Sequence, residues 1–523
     1  MWRNFTILIL LSFLPTAGFG QLALDHLRIL NQENGLPGFA ETGDQTGRVV
    51  VTGDFNNDEW DDLAIGAPGE SIGEVTLAGV VLVLYGGPEG LGVAQSQFLH
   101  QDSPGVPGVP ENGDRFGQSL AVGDFNLDFV DDLAIGIPGE DIGNIFAAGS
   151  AAIIFGSHNG GLDSGSTIAV ENPDPHEDEA FGTSLLSHAF DLGNRSTLFV
   201  GEPGNRIDSI AAGSVQIFQV DTSGPGSQVV HLASIHQDAE LTPGAPTIPG
   251  TNEDGDEFGF SLAAAWHLCE ENYPWIELGI GAPGEDIGQI ENAGAVWVIQ
   301  VNIDNMMVET DAARFYRQGD GMMSGIPEKD DQFGYALAAG TLVGFSGRRF
   351  AIGVPFEDVQ GTAGKGVVHL LGLENCVPEE SFILDSSDLG GPDQAVSNFG
   401  KSLATGDLNN DGLDELVIGV PGETSPDGSS FGAAWLVYPG QDGLPEHWQK
   451  LSQPAGGSFG VSATVGRFRN KTGPRGLAVG DPLMDSTDNS VPFAGGVVLI
   501  PNQAIFSSGF ETGSTFGWTL TVP

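Results

Sequence analysis

Positive charge is scarce in this chain: 18 Lys and Arg stand against 70 Asp and Glu, a net charge of −52 over 523 residues. A field of that sign repels nucleic acid and anionic membranes and gathers cations, so nucleic-acid binding is excluded as the main activity. Cysteine is nearly absent. Cys269 and Cys376 are too few for a disulfide scaffold, and they form either one bridge or two separate buried thiols. Long apolar runs are missing as well. The nearest candidate, Phe5 to Leu14, is too short to span a bilayer comfortably. It follows Arg3, is broken by Pro15 and leads to Gly18 and Gly20, the layout of a signal peptide over residues 1–20. The mature protein is therefore expected outside the cell or on its surface, with no membrane span after signal removal. Catalytic signatures are also lacking: there is no His-Glu-x-x-His, no Gly-x-Ser-x-Gly and no phosphate-cradling glycine loop.

What is present is repetition. The chain has 79 Gly and 31 Pro, yet 40% of its residues are hydrophobic, a composition that favours many short strands joined by tight turns. A Phe-Gly pair recurs at Phe116, Phe181, Phe258, Phe333, Phe399 and Phe459, with Thr46-Gly47 as a first copy that has lost its Phe. Each pair is followed by a Gly-x-Pro, ending at Pro68, Pro138, Pro203, Pro283, Pro355, Pro421 and Pro482. The interval from opening Gly to Pro is 21 residues in five units, 24 in the fourth and 22 in the seventh. Period-two alternation within each unit fits half-buried strands. Four such strands repeated seven times predict an all-β, seven-bladed β-propeller of four-stranded antiparallel blades over residues 21–502. The seventh unit supplies only three strands. The segment at Leu30-Asn31-Gln32 resembles the fourth-strand segment at Leu99-His100-Gln101, so the N-terminal strand is expected to close the ring in the last blade.

Three units carry an acidic loop between their first two strands. The loops offer Asp54, Asn56, Asp58, Trp60 and Asp62; Asp124, Asn126, Asp128, Val130 and Asp132; and Asp407, Asn409, Asp411, Leu413 and Glu415. Positions 1, 3, 5 and 9 bring side-chain oxygens, and the apolar position 7 can offer only its carbonyl. A hard cation wants six to eight oxygens, and a tight loop turns alternate residues inward, so about three calcium ions are expected. Magnesium fits less well, because its octahedral demand is stricter. The other units have lost the pattern. In the seventh, Arg467, Arg469 and Lys471 stand at the first three ligand positions, either replacing the metal's charge or forming a solvated turn.

The Phe-Gly opening, the Asp-x-Asn-x-Asp loop and the Gly-Ala-Pro ending together resemble FG-GAP repeats, the units of the integrin α-subunit propeller. The resemblance covers about residues 25–500. It implies metal loops on one face and a role in adhesion or ligand recognition, in a form similar to exported bacterial proteins that carry these repeats. No inserted domain interrupts the blades, so integrin ligand specificity does not carry over. The C-terminal tail 503–523, with Gly509-Phe510-Glu511 and Trp518, is expected to fray.

The expected function is a secreted calcium-binding propeller that recognises an extracellular protein or glycan and is not an enzyme. Two alternatives stand beside it: a polysaccharide-active enzyme with its site in the channel, and a purely structural surface protein. The seven segments from Glu70, Glu140, Asn205, Glu285, Glu357, Glu423 and Asp485 stand at one place in the repeat and are expected to ring a partner-binding face. His100 and His236 share a fourth-strand position, which points to a structural part for them.

Overall fold

The structure, a computed structural model, describes residues 28–32, 36–158, 160–188, 196–224, 226–239, 247–266, 275–302, 308–321, 323–343, 347–374, 377–424, 432–440, 445–452, 457–469, 471, 475–485, 494–500 and 518–521. Residues 1–20, expected to be a signal peptide, and both cysteines lie outside these residues.

Seven antiparallel sheets follow one another along the chain, each a meander of four strands. Blade 1 consists of Val49–Gly53, Asp62–Ala67, Val80–Tyr85 and Gly92–Leu99. Blade 2 repeats it with Leu120–Gly123, Asp132–Ile137, Ser150–Ile154 and Thr167–Val170. The second and third strands of both blades are buried along their whole length, apolar on both faces because a neighbouring blade covers each side. Blade 7 takes its fourth strand from the other end of the chain. Arg28–Leu30 pairs antiparallel with Gly496–Ile500, setting Arg28 opposite Leu499 and Leu30 opposite Val497. The ring is thereby closed as expected. Against expectation for the tail, Trp518–Thr521 pairs in parallel with the outer strand of blade 6, Pro445–Ser452. An outer strand leaves one row of amides unpaired, and this segment covers it.

There is no single core. Seven apolar clusters lie one at each junction between consecutive blades, and a Phe of the repeat opening sits in six of them. The cluster between blades 7 and 1 has no such Phe, because Thr46 stands there. All six Phe side chains are fully buried.

The two halves of the repeat motif meet across these junctions. A Cβ on Gly66 would lie 2.2 Å from the carbonyl oxygen of Gly117 in the next blade, and the same approach recurs at Gly136, Gly201, Gly281, Gly353, Gly419 and Gly480. Gly117 has φ +84°, a left-handed backbone that lets its amide donate to the Gly136 carbonyl of its own blade at 3.0 Å while its carbonyl faces Gly66. The spacing within the motif is thus closed inside each blade by a bond from the opening Gly amide to the carbonyl of the Gly-x-Pro glycine, and that pair is what the neighbouring blade packs against.

In a meander the first-to-second and third-to-fourth strand connections emerge on one face of the ring. The second-to-third connections and the links between blades emerge on the other. The acidic loops belong to the first face.

Candidate metal loops and the opposite face

Each acidic loop is built by left-handed residues at positions 4 and 6: Asn57 and Glu59, Leu127 and Phe129, and Asn410 and Gly412. These turns set the odd-numbered side chains inward. In blade 1, Asp54 accepts from the amides of Asp58 at 2.9 Å and Glu59 at 2.8 Å. Asn56 Oδ1 accepts from Asp58 N at 3.0 Å, and Asp58 Oδ1 from Trp60 N at 3.0 Å. Blade 2 repeats these bonds through Asp124, Asn126 and Asp128, and blade 6 through Asp407, Asn409 and Asp411. Position 7 is not a side-chain donor in any of them. Val130 is buried there, while Trp60 lies under the Lys471 ammonium, 3.9 Å from its ring centre, and Leu413 fills the same place in blade 6.

Position 9 holds the loop to its blade. Asp62 is fully buried and accepts from Phe55 N at 2.9 Å and from Gly86 N, in the next connection, at 2.7 Å. Asp132 does the same with Phe125 and Gly156. The longer Glu415 of blade 6 reaches Leu408 N at 2.7 Å and the Asn409 side-chain amide at 2.9 Å. Burial first, and then the loops' other carboxylates, push Asp62, Asp132 and Glu415 up to about 8 against the opposing effect of their amide bonds. Asp54 and Asp124 are raised for the same first reason. Among the described residues no three Asp, Glu, His or Cys side chains form a metal shell by themselves. The loop's donors also include an amide oxygen and a backbone carbonyl. That all-oxygen set, with three mutually repelling carboxyls, fits a hard divalent cation.

Sequence reasoning missed position 8. Asp131 of blade 2 accepts from the backbone amide of Asp54 at 2.8 Å and donates its own amide to the Asp54 carbonyl at 3.3 Å. Asp61 holds Arg467 of blade 7 in the same way, and Asp414 holds Thr341 of blade 5. The eighth residue of each loop therefore clamps the first residue of the loop before it, linking the loops around the rim. An acid at this position in all three acidic loops was the available signal. Of the blade 7 cations, Lys471 does not turn into its own loop. Lys471 Nζ instead donates to the Asp58 carbonyl at 2.7 Å and to Glu59 at 2.9 Å in blade 1.

The other face has acids of a different kind. Glu70, Glu140, Glu285, Glu357 and Glu423, expected on a partner-binding surface, are buried or nearly so. Four of them accept from a Gln that ends the preceding blade: Gln32 to Glu70 at 2.7 Å, Gln101 to Glu140, Gln237 to Glu285 at 2.7 Å and Gln318 to Glu357 at 2.6 Å. These glutamates are joints, and the surface lies on the turns beyond them. A second acid, two residues before the Phe position, faces each: Asp44, Asp114, Asp256 and Asp331. In blade 3 the pair is Glu179 with Glu202, bridged by Asn172. Burial raises the carboxyls of the four Gln-held pairs, to about 7 for Glu140 and Asp114 and to about 8 for Glu285. Blade 6 shows what the pairs lack. Ser397 replaces the second acid, and Glu423 is paired with Lys450.

Seven of the nine exposed large apolar side chains among the described residues stand on this face: Phe39, Leu77, Val109, Phe146, Ile326, Val396 and Leu483. A cavity of about 1040 Å³ opens at its centre, on the axis.

Comparison with known proteins agrees with this architecture. Residues 46–84, 116–154 and 399–437, the three units with acidic loops, match the FG-GAP repeat family. The chain carries FG-GAP repeats. It is 27% identical over 383 residues to human phosphatidylinositol-glycan-specific phospholipase D, covering 72% of this chain and 43% of that protein. The bovine counterpart is 24% identical over 396 residues, with the same coverage. Chicken integrin alpha-8 is 30% identical over 198 residues, 36% of this chain and 16% of the integrin. The chain spans less than half the length of these curated relatives. Among the described residues no helix is long and apolar enough to cross a membrane.

Proposed function

We propose that this FG-GAP propeller is an exported, calcium-braced recognition module that binds an extracellular protein or glycan and does no chemistry on it. The observation that carries this reading is the contrast between its two faces. One face holds the acidic loops, each clamped to the loop of the preceding blade through Asp61, Asp131 or Asp414. The other concentrates exposed apolar side chains around an axial cavity. Calcium in the three loops would neutralise carboxyls packed without cations and fix the connections between the innermost strands. The ligand would then meet the opposite face, where exposed apolar groups rimmed by acids suit a protein or sugar surface.

A glycan array and a melting curve, each run in calcium and in chelator, test the two halves of this reading. Calcium at 100 times its Kd stabilises by about 2.7 kcal/mol per site, so chelation should lower Tm measurably. Array binding should be lost in Phe146→Ser and kept in Phe129→Ser, since Phe129 stands in a calcium loop. An unchanged melting curve under chelation would refute the calcium half. Equal effects of the two substitutions would refute the assignment of faces. Release of reducing ends from a bound polysaccharide would show an enzyme instead.

A further inference from the structure

The residue after the opening Gly of each repeat points at the axis, and two of the seven, Arg48 and Lys401, are cations. Arg115 also lines the cavity, against a single lining carboxylate, Asp178. In a chain with four acids for every cation, three cations at one mouth reverse the local balance. None of the three lies within salt-bridge distance of a carboxylate among the described residues.

The two inner cations line the same cavity. The Lys401 ammonium is 3.6 Å from the ring centre of Tyr335 and 4.3 Å from that of Phe356. Burial, and then the charge of Arg48, lower Lys401 to about 8. Arg48 acts on Tyr335 as well, whose phenol is raised by burial and by Glu257, the other acid near this group. Phe260 closes the other side of Tyr335, at 5.0 Å between ring centres. Two like charges facing one aromatic-walled cavity repel each other, and an anion between them would remove that cost.

We propose that the axial mouth is an anion-binding site in which Arg48 and Lys401 hold the oxyanion of a small mono- or dianionic ligand, a carboxylate or a phosphate. A polyanion is disfavoured, because the field of the whole molecule repels it, whereas one or two charges gain more from the local pair than they lose beyond a Debye length of about 8 Å. Arg48 supplies the planar fork suited to an oxyanion, and Lys401 supplies a point charge. This deepens the recognition reading by naming the chemistry at the centre of the proposed face, and it rests on that reading only for the site's role.

Calorimetric titration with galacturonate, inorganic phosphate and neutral galactose at physiological ionic strength tests it. Saturable binding of galacturonate or phosphate, but not galactose, is expected, and whichever binds identifies the oxyanion. Arg48→Gln and Lys401→Gln should each weaken it about tenfold. Both variants should keep the wild-type melting response to calcium, and relief of the like-charge repulsion should leave them at least as stable. Affinity should fall as pH rises past 8 and Lys401 loses its proton. Phe146→Ser, on the rim, should leave small-anion binding intact, which separates this site from the rest of the face. No saturable binding of either anion at millimolar concentration, or binding unchanged in the double variant, would overturn the proposal.

Discussion

Asp131 shows how one side chain can serve a site it does not belong to. Its carboxylate takes the amide of Asp54, the first residue of the neighbouring loop. Burial raises its pKa to about 6, and the nearby carboxylates of Asp54, Asp61 and Asp124 add to the effect. Removing the acceptor leaves a partly buried amide unpaired, a loss of about 1–3 kcal/mol. Asp131→Ala should therefore lower Tm and shift the calcium midpoint of the blade 1 loop, although Asp131 is no ligand of that loop. Asp131→Asn, which keeps an oxygen in place, should restore most of both. A variant with normal stability and an unshifted midpoint would show that the clamp contributes nothing. The adjacent Asp62 has a different part, because two amides depend on it. Its loss should destabilise the protein even in chelator.

At the scale of strands and junctions, the repeat motif marks where one blade touches the next. A methyl group on Gly66 would meet the Gly117 carbonyl, backbone against backbone, so Gly66→Ala must part blades 1 and 2. Overpacking of this kind costs about 1–3 kcal/mol. Gly73 makes the comparison: it has φ +64°, and a methyl group there would meet nothing within 4 Å, so Gly73→Ala should cost only the backbone strain, about 1 kcal/mol. Urea unfolding of the two variants measures the difference, and equal losses would remove the steric account. The motif's spacing and its count of seven were legible in the sequence because each junction repeats the same constraint. The closing strand was legible for the same reason, as Leu30-Asn31-Gln32 copies a fourth-strand ending. The clamps were not, because Asp54 and Asp131 are 77 residues apart and meet only when the blades stack. The joint glutamates were misread for a related reason. Glu140 sits among turn residues in the chain, and its partner Gln101 comes from another blade. The tail's strand was missed too, since backbone pairing to an open edge leaves little trace in side-chain pattern.

For the whole ring, the joints give acid and base unequal effects on stability. Asp44, Glu70, Asp114, Glu140, Glu202, Asp256, Glu285, Asp331 and Glu357 all have pKa values raised above their ordinary carboxylate range, first by burial. A folded state with raised carboxyl pKa values binds more protons than the unfolded chain between the two sets of values. The stability these groups contribute is therefore complete below about pH 4, the unfolded range, and is lost as pH rises through 6 to 8. Paired carboxylates that lower their pKa on folding give the opposite slope. In chelator the metal-free loop carboxyls Asp62, Asp132 and Glu415, raised to about 8, add to the same trend, and the urea midpoint should thus fall between pH 5.5 and 8.5. Glu140→Gln should flatten part of that fall, because an amide keeps the shape of the joint without an ionisable group. A midpoint that is level or rises over this range would mean that the joints stay ionised in the folded ring, held by cations from solution rather than by protons.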